Sequence, residues 1–469
     1  MPTTWSFVDQ PVASPTVLLN MNDGATWKTL GGDFFKLPAP PLKRSIAANA
    51  MSDGGVVSSA AYDLRTLTFT LELTAATEAG REAQMDALKA QLAKPTNLLM
   101  FQSELSANPV FFRTLRSDDY NLDTQFIPTT TWRVDCNILA EPFAIGIRRD
   151  LATVTVTNDP AAASVPSRWD MTGIVGDSPT PAFIRIGTAL GPGNPVILAQ
   201  RTANNPTAVT VFAQAEAGTM GTDTTVQAND TGMSGSGSNF VRCSFSTSSS
   251  LVTRLTVTAP TATDAAALRG RYRVYARTRT SATGSNFTVR YVSNVGGANS
   301  VNGPQVSFDS LASTEFRYTD LGVLEFPGPG PIPAAMGYSG LAAQVATQPL
   351  GIQIQRNSGT GTLDIDHIYL MPADERLSIT SRNAQVTNSY LVIDGPSEMA
   401  YGMAPSTTPF GSTRTVDGGG GLVSMMGGSP MLVPGVTNRW YMLRGGSGVT
   451  TTSPVDVSYW PRWREVATS

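Results

Sequence analysis

His367 is the single histidine of the chain, and it stands in the run Asp364-Ile365-Asp366-His367-Ile368-Tyr369. A serine-hydrolase triad would have to use it, and a histidine metal cluster cannot be built from one histidine. Leu363, Ile365 and Tyr369 form the apolar set of that run, so His367 reads as a packed core or rim residue of a strand. Asp364 and Asp366 fall on one side of the same strand, about 7 Å apart along it. Paired carboxylates can serve a glycosidase, but a solvated strand edge or turn is the plainer reading of them. Tyr272, Tyr275, Tyr291, Tyr318 and Tyr338 are the residues that could stack on sugar faces, although a tyrosine on a strand commonly faces the core. Cys136 and Cys243 are the only cysteines. They are too few for a disulfide framework or a cysteine zinc site, and Cys136 reads as a small buried hydrophobe. The stretch DGGGGL at 417–422 lacks the lysine and the following helix of a phosphate loop. It is expected to be a mobile loop or a subunit-contact arm. No catalytic, cofactor or metal residues are assigned, and the chain is not expected to be an enzyme.

The elements that position these residues begin with the clearest periodicity in the chain. Leu67, Phe69, Leu71 and Leu73 alternate with Thr66, Thr68, Thr70 and Glu72, which predicts a half-buried strand. Met85, Leu88 and Leu92 then fall at helical spacing and predict one helix over about 77–93. Thr74 or Thr77 can cap it and Pro95 stops it. Strand-like runs follow at 97–101 and 110–115. Trp132, Val134, Cys136 and Ile138 then share one face of a long strand, which leads into AEPFAIG at 140–146. Earlier, Val17-Leu18-Leu19 could be an edge strand, and Phe34-Phe35 reads as core more readily than as a subunit contact.

From 183 to 372 many short β-type runs are separated by Gly, Ser, Asn and Pro, with no amphipathic helix. Such spacing predicts a sandwich or barrel. Residues 373–469 are β-like again, with strand–turn–strand in NSYLVIDGPSEMAYG and alternation of Val455, Val457 and Tyr459. At 469 residues the chain is too long for one ordinary core. Net charge is −3, and the charges are evenly mixed along the chain. No segment therefore offers an electrostatic footprint for nucleic acid or an anionic membrane. Residues 1–19 show no signal-peptide pattern, and no apolar run is long enough to span a bilayer. A soluble protein made in the cytoplasm is expected.

The strand at 62–73, the single helix before a proline and the aromatic strand running into AEPFAIG resemble the first domain of the distal tail proteins of long-tailed phages. The resemblance covers about the first 150 residues, and more loosely the last 80 or so. It implies a β-sandwich with one helix whose copies join into a hexameric ring at the tail tip. It implies tail tube, tail hub and tape-measure proteins as partners, and a virion location. AQAEAG at 213–218 and DIDHIYL at 364–370 resemble the first and last strands of a carbohydrate-binding, galactose-binding-like jelly-roll. That resemblance implies host cell-wall glycan as a partner, and a structural calcium held by Glu216 with Asp364 and Asp366. All five lysines precede Pro95, and Ala, Gly and Thr are abundant. Such usage is associated with GC-rich genomes and fits an actinobacterial host.

Together these readings predict a mainly β protein. Residues 1–150 would form a ring-making sandwich with its helix. An inserted jelly-roll would follow at 166–372, and a C-terminal β domain at 373–469. The expected role is a distal tail or baseplate ring subunit that assists host adsorption. A receptor-binding or other minor tail-tip protein is the alternative, although no fibre-like repeat or heptad is present. A polysaccharide-acting enzyme or free lectin would need a catalytic domain that the sequence does not show.

Overall fold

The computed structural model describes residues 4–30, 35–36, 38–48, 55–103, 108–123, 131–157, 159, 167–187, 196–203, 212–230, 232–234, 238–247, 249–258, 270–293, 295, 300–309, 316–326, 349–373, 376–382, 390–403, 423–445 and 452–466. Phe34, Tyr338 and the glycine run at 417–422 lie outside them. The chain divides into two compact units, and neither is continuous in sequence. One comprises Met1–Asp150, Ile174–Thr180 and Ser458–Ser469; the other comprises Leu151–Gly173 and Pro181–Val457.

The first unit is built on one antiparallel strand pair. Arg65–Thr74 runs against Thr131–Ala140, with Leu67 opposite Ile138, Phe69 opposite Cys136 and Leu71 opposite Val134. Because side chains alternate along a strand, that register puts all six on one buried face. The opposite face is polar: Thr70 Oγ1 donates to Asp135 at 2.5 Å and Thr68 Oγ1 to Asn137 at 2.9 Å. The sheet continues through Val110–Leu115, Thr96–Gln102 and Thr4–Val8 to an edge strand, Val17–Asn20. Its other end is Trp27–Thr29.

The helix, Glu78–Leu92, covers the apolar face. Thr77 caps it by accepting a hydrogen bond from the Gly80 amide at 3.1 Å. Met85, Leu88 and Leu92 are buried in the core that holds Trp5, Phe69 and Phe112, and the helix packs on the strands at 65–74 and 131–140 as their spacing requires. Arg81 is also buried; its guanidinium lies 5.1 Å from the centre of the Trp132 ring. A charged residue on the apolar stripe was not foreseen from the period alone.

The second unit holds two sets of sheets. Residues 212–372 form a sandwich of two six-stranded antiparallel sheets. One is ordered Thr224–Gln227, Phe240–Cys243, Leu363–Pro372, Gly270–Thr280, Arg317–Phe326, with Phe212–Gln214 beside Leu363–Pro372. The other is ordered Thr219–Met220, Val252–Thr258, Pro349–Ser358, Asn286–Ser293, Val301–Asn302, with Val306–Asp309 beside Asn286–Ser293. Cys243, Val274 and Ile365 from the first share one core with Val257, Phe287 and Ile352 from the second. The remaining strands pair among themselves. Arg168–Met171 and Val196–Ala203 flank Thr437–Arg444, and Phe183–Ile186 pairs with Tyr390–Asp394. The span 166–372 thus contains both a closed set of strand pairs, 212–372, and strands whose partners lie after residue 376. Ile197, Tyr441 and Leu443 reach the same core as the sandwich.

Candidate functional site

His367 is fully buried, and so are Asp364 and Asp366 at 1% exposure. The solvated edge expected for the two aspartates is therefore corrected: each is neutralised by arginines and packed. Asp364 accepts from Arg242 Nε at 2.8 Å and from Arg279 Nη2 at 3.0 Å. Asp366 is paired with Arg277 and accepts from the Ser234 amide at 2.9 Å and the Ser234 hydroxyl at 2.8 Å. Such burial is tolerated only when the charge is paired and its lone pairs are filled.

A local irregularity puts Asp366 and His367 together. Arg277 pairs with His367 and Thr278 with Ile365, so Asp366 is skipped in that ladder. This is a β-bulge, and it turns two consecutive residues toward one cluster. His367 Nδ1 lies 3.0 Å from both Asp366 Oδ2 and Ser234 Oγ, while Nε2 meets the Tyr318 hydroxyl at 3.2 Å. Burial alone would raise the Asp366 carboxyl, but His367 and Arg277 hold it well below the usual carboxylate range. Arg277 also lies over Phe316, 4.0 Å from the ring centre.

Serine, histidine and aspartate meet here without the geometry of a triad. A relay needs the nucleophile and the carboxylate on opposite ring nitrogens, whereas here both approach Nδ1. Substrate also has no access, because Ser234 and His367 are fully buried. The cluster is a structural pin that fastens residues 232–234 to the sheet. Arg277 Nη1 adds a bond to the Gly232 carbonyl at 2.9 Å.

The other candidate residues are also placed. Glu216 is half-buried, and burial, followed by the charge of Asp366, raises its carboxyl. Since Asp364 and Asp366 are filled by guanidinium, hydroxyl and imidazole groups, they are not set out as calcium ligands. Among the described residues no group of three His, Cys, Asp or Glu side chains could hold a metal ion. Tyr272, Tyr275, Tyr291 and Tyr318 are all buried; none offers a face to a sugar. Burial pushes the Cys136 and Cys243 thiols up to about 12, which leaves both inert.

Two features of the first unit are open to solvent. Among the described residues the edge strand Val17–Asn20 is paired on one side only, and Val17 is 49% and Leu18 42% exposed. A cavity of about 630 Å³ lies among Phe101, Asn108, Ile147, Arg149, Trp463 and Glu465. Sequence reading found the edge strand but missed Ser234, Arg81 and the cavity, whose lining comes from distant parts of the chain. No helix among the described residues is long and apolar enough to cross a membrane.

No protein-family model matches the chain. No curated protein matches it either. Among solved structures it is similar to the Dit protein of phage SPP1, a paradigm of the hub adsorption apparatus in phages infecting Gram-positive hosts. Identity is 8% and the TM-score 0.38, over 98% of this chain and 99% of that one. It is similar to a chain of the phage P2 baseplate in its activated conformation with calcium, at 9% identity and a TM-score of 0.29, over 78% of this chain and 98% of that one. It is also similar to the tandem CBM22 domains of Paenibacillus barcinonensis Xyn10C, at 10% identity and a TM-score of 0.20, over 59% and 93%. None of these likenesses reaches the level that assigns a fold or a role.

Proposed function

We propose that this chain is a structural subunit of a phage tail tip, a distal tail or baseplate ring protein. In this reading the first unit makes the ring and the sandwich at 212–372 is an inserted module displayed outward. The partners would be further copies of the chain, the tail tube, the hub and the tape-measure protein, in a virion assembled in the host cytoplasm. Host-wall glycan would be an accessory partner of the inserted module. Because Tyr272, Tyr275, Tyr291 and Tyr318 are buried, any glycan contact would fall to other residues of that module. The resemblance of residues 1–150 to distal tail proteins supports the reading, and so does the use of His367 and its neighbours as a buried pin.

One observation carries it. The sheet of the first unit ends in a strand that bears two exposed aliphatic residues and no charge of its own. Isolated proteins guard such edges with charge, proline or a cover, because an open ladder recruits another strand. Closed symmetry is the usual way identical subunits satisfy these edges without growing filaments. Replacing Val17 and Leu18 together by glutamate should abolish self-association of the full chain while leaving its melting temperature within a few degrees. Light scattering decides it: an oligomer that survives both charges removes this edge from the interface.

A further inference from the structure

The first unit is finished by a segment far from it in sequence. Arg65 is buried to 1% exposure and stacks 5.4 Å from the centre of Phe112. Its guanidinium donates to the carbonyls of Pro142, from Nε at 2.9 Å, and of Arg464, from Nη2 at 2.9 Å. Residues Arg65 and Arg464 are 399 positions apart. Around this pin, Ala144–Ile145 pairs with Arg462–Trp463, and the Gly146 amide donates to the Pro461 carbonyl at 2.8 Å. A side chain at 146 would collide with the Trp463 ring, 2.5 Å from its nearest atom, so the close approach requires glycine. Asp177 then receives the Arg464 amide at 2.7 Å and the Glu465 amide at 3.3 Å. Its own amide donates to the Arg462 carbonyl at 3.0 Å. Tyr459 accepts from the Val175 amide at 3.0 Å, and Val466 packs on the main core.

These contacts tie three chain segments together. Without 459–466 the strand at 144–145 would keep one open edge, and Val8, Met100 and Phe111 would lose the cover of Trp460. Long-range pairing is also the slowest kind, since loop closure must precede any reward from it. The segment carries few buried side chains of its own, and Arg464 and Glu465 are exposed. Its local stability therefore belongs at the low end of the unit.

We infer that residues 459–466 act as a closing clasp: they dock last on the first unit and, by taking the free edge of the strand at 144–145, keep that edge from pairing with another copy of this chain. The partner named here, a second copy, rests on the ring reading; the order of docking does not.

Pulse-labelled hydrogen exchange during refolding of the full chain tests it, with light scattering on the same samples. The amides of Phe69, Leu71 and Val134 should become protected first. Those of Gly146, Asp177 and Arg464 should follow together, and scattering should rise only after them. Arg65→Met should raise native-state exchange at Gly146, Asp177 and Arg464 at least tenfold in parallel and leave Leu71 unchanged. Asp177→Asn, a milder change, should do the same to a smaller degree if Arg65→Met fails to fold. Gly146 protected with the core while Arg464 still exchanges would overturn the clasp. Scattering that rises before Gly146 is protected would overturn its control of assembly. A chain that never associates contradicts the ring reading, and the exchange order then judges the clasp alone.

Discussion

Replacing Arg277 by methionine should destabilise the sandwich of residues 212–372 by about 3–5 kcal/mol, because it leaves the Asp366 carboxylate buried without its partner. Both side chains are fully inaccessible in their ion pair. Asp366→Asn should fall in the same range, since it would strand the guanidinium instead. Replacing both residues by apolar side chains of similar volume should recover much of the loss. The difference between the single and double variants, measured by urea unfolding, separates the cost of an orphaned charge from the net worth of the pair. The pH dependence has a defined sign. Asp366 has a folded value depressed below its ordinary 3.8. Its contribution is therefore fully present above that value and is lost as the pH falls below it. Arg277→Met should flatten this acid limb, and an acid limb identical to that of the natural chain would contradict the assignment.

Leu88→Ala should be the costliest truncation on the helix, at about 2–5 kcal/mol. Leu88 is fully buried among Met85, Leu92 and the paired strands, so the lost methyl groups leave a cavity that a sheet and a helix cannot both collapse into. Lys89→Ala, one position on, removes an exposed side chain whose partner Asp86 is also exposed, and should change stability by less than about 0.5 kcal/mol. Differential unfolding of the full chain checks both. Equal effects would mean that the helix does not rest on the sheet through this face.

Much of this architecture can be read from the amino-acid order, where the signal is periodic and local. The alternation of Leu67 to Leu73, the helical spacing of Met85, Leu88 and Leu92, and the run at 17–19 each specify an element whose burial pattern follows from its own geometry. The histidine could be recognised as packed from its apolar neighbours. What was hidden depends on residues brought from elsewhere. The bulge at Asp366 breaks the alternation that made Asp364 and Asp366 look equivalent. Ser234, 132 positions away from Asp366, has no local pattern to mark it. Arg242, Arg277 and Arg279, which neutralise the aspartates, stand on other strands, so no local pattern marks them as partners. The completion of the first unit by 174–180 and 458–469 is a property of the folded chain with no periodic trace.

The central claim is that this chain assembles into a closed ring, and imaging the purified full chain by negative-stain electron microscopy at micromolar concentration tests it most directly. The account predicts hexameric rings, lost in the Val17→Glu, Leu18→Glu double variant. A field of uniform single particles for the natural chain, confirmed as monomer by mass photometry, would contradict it.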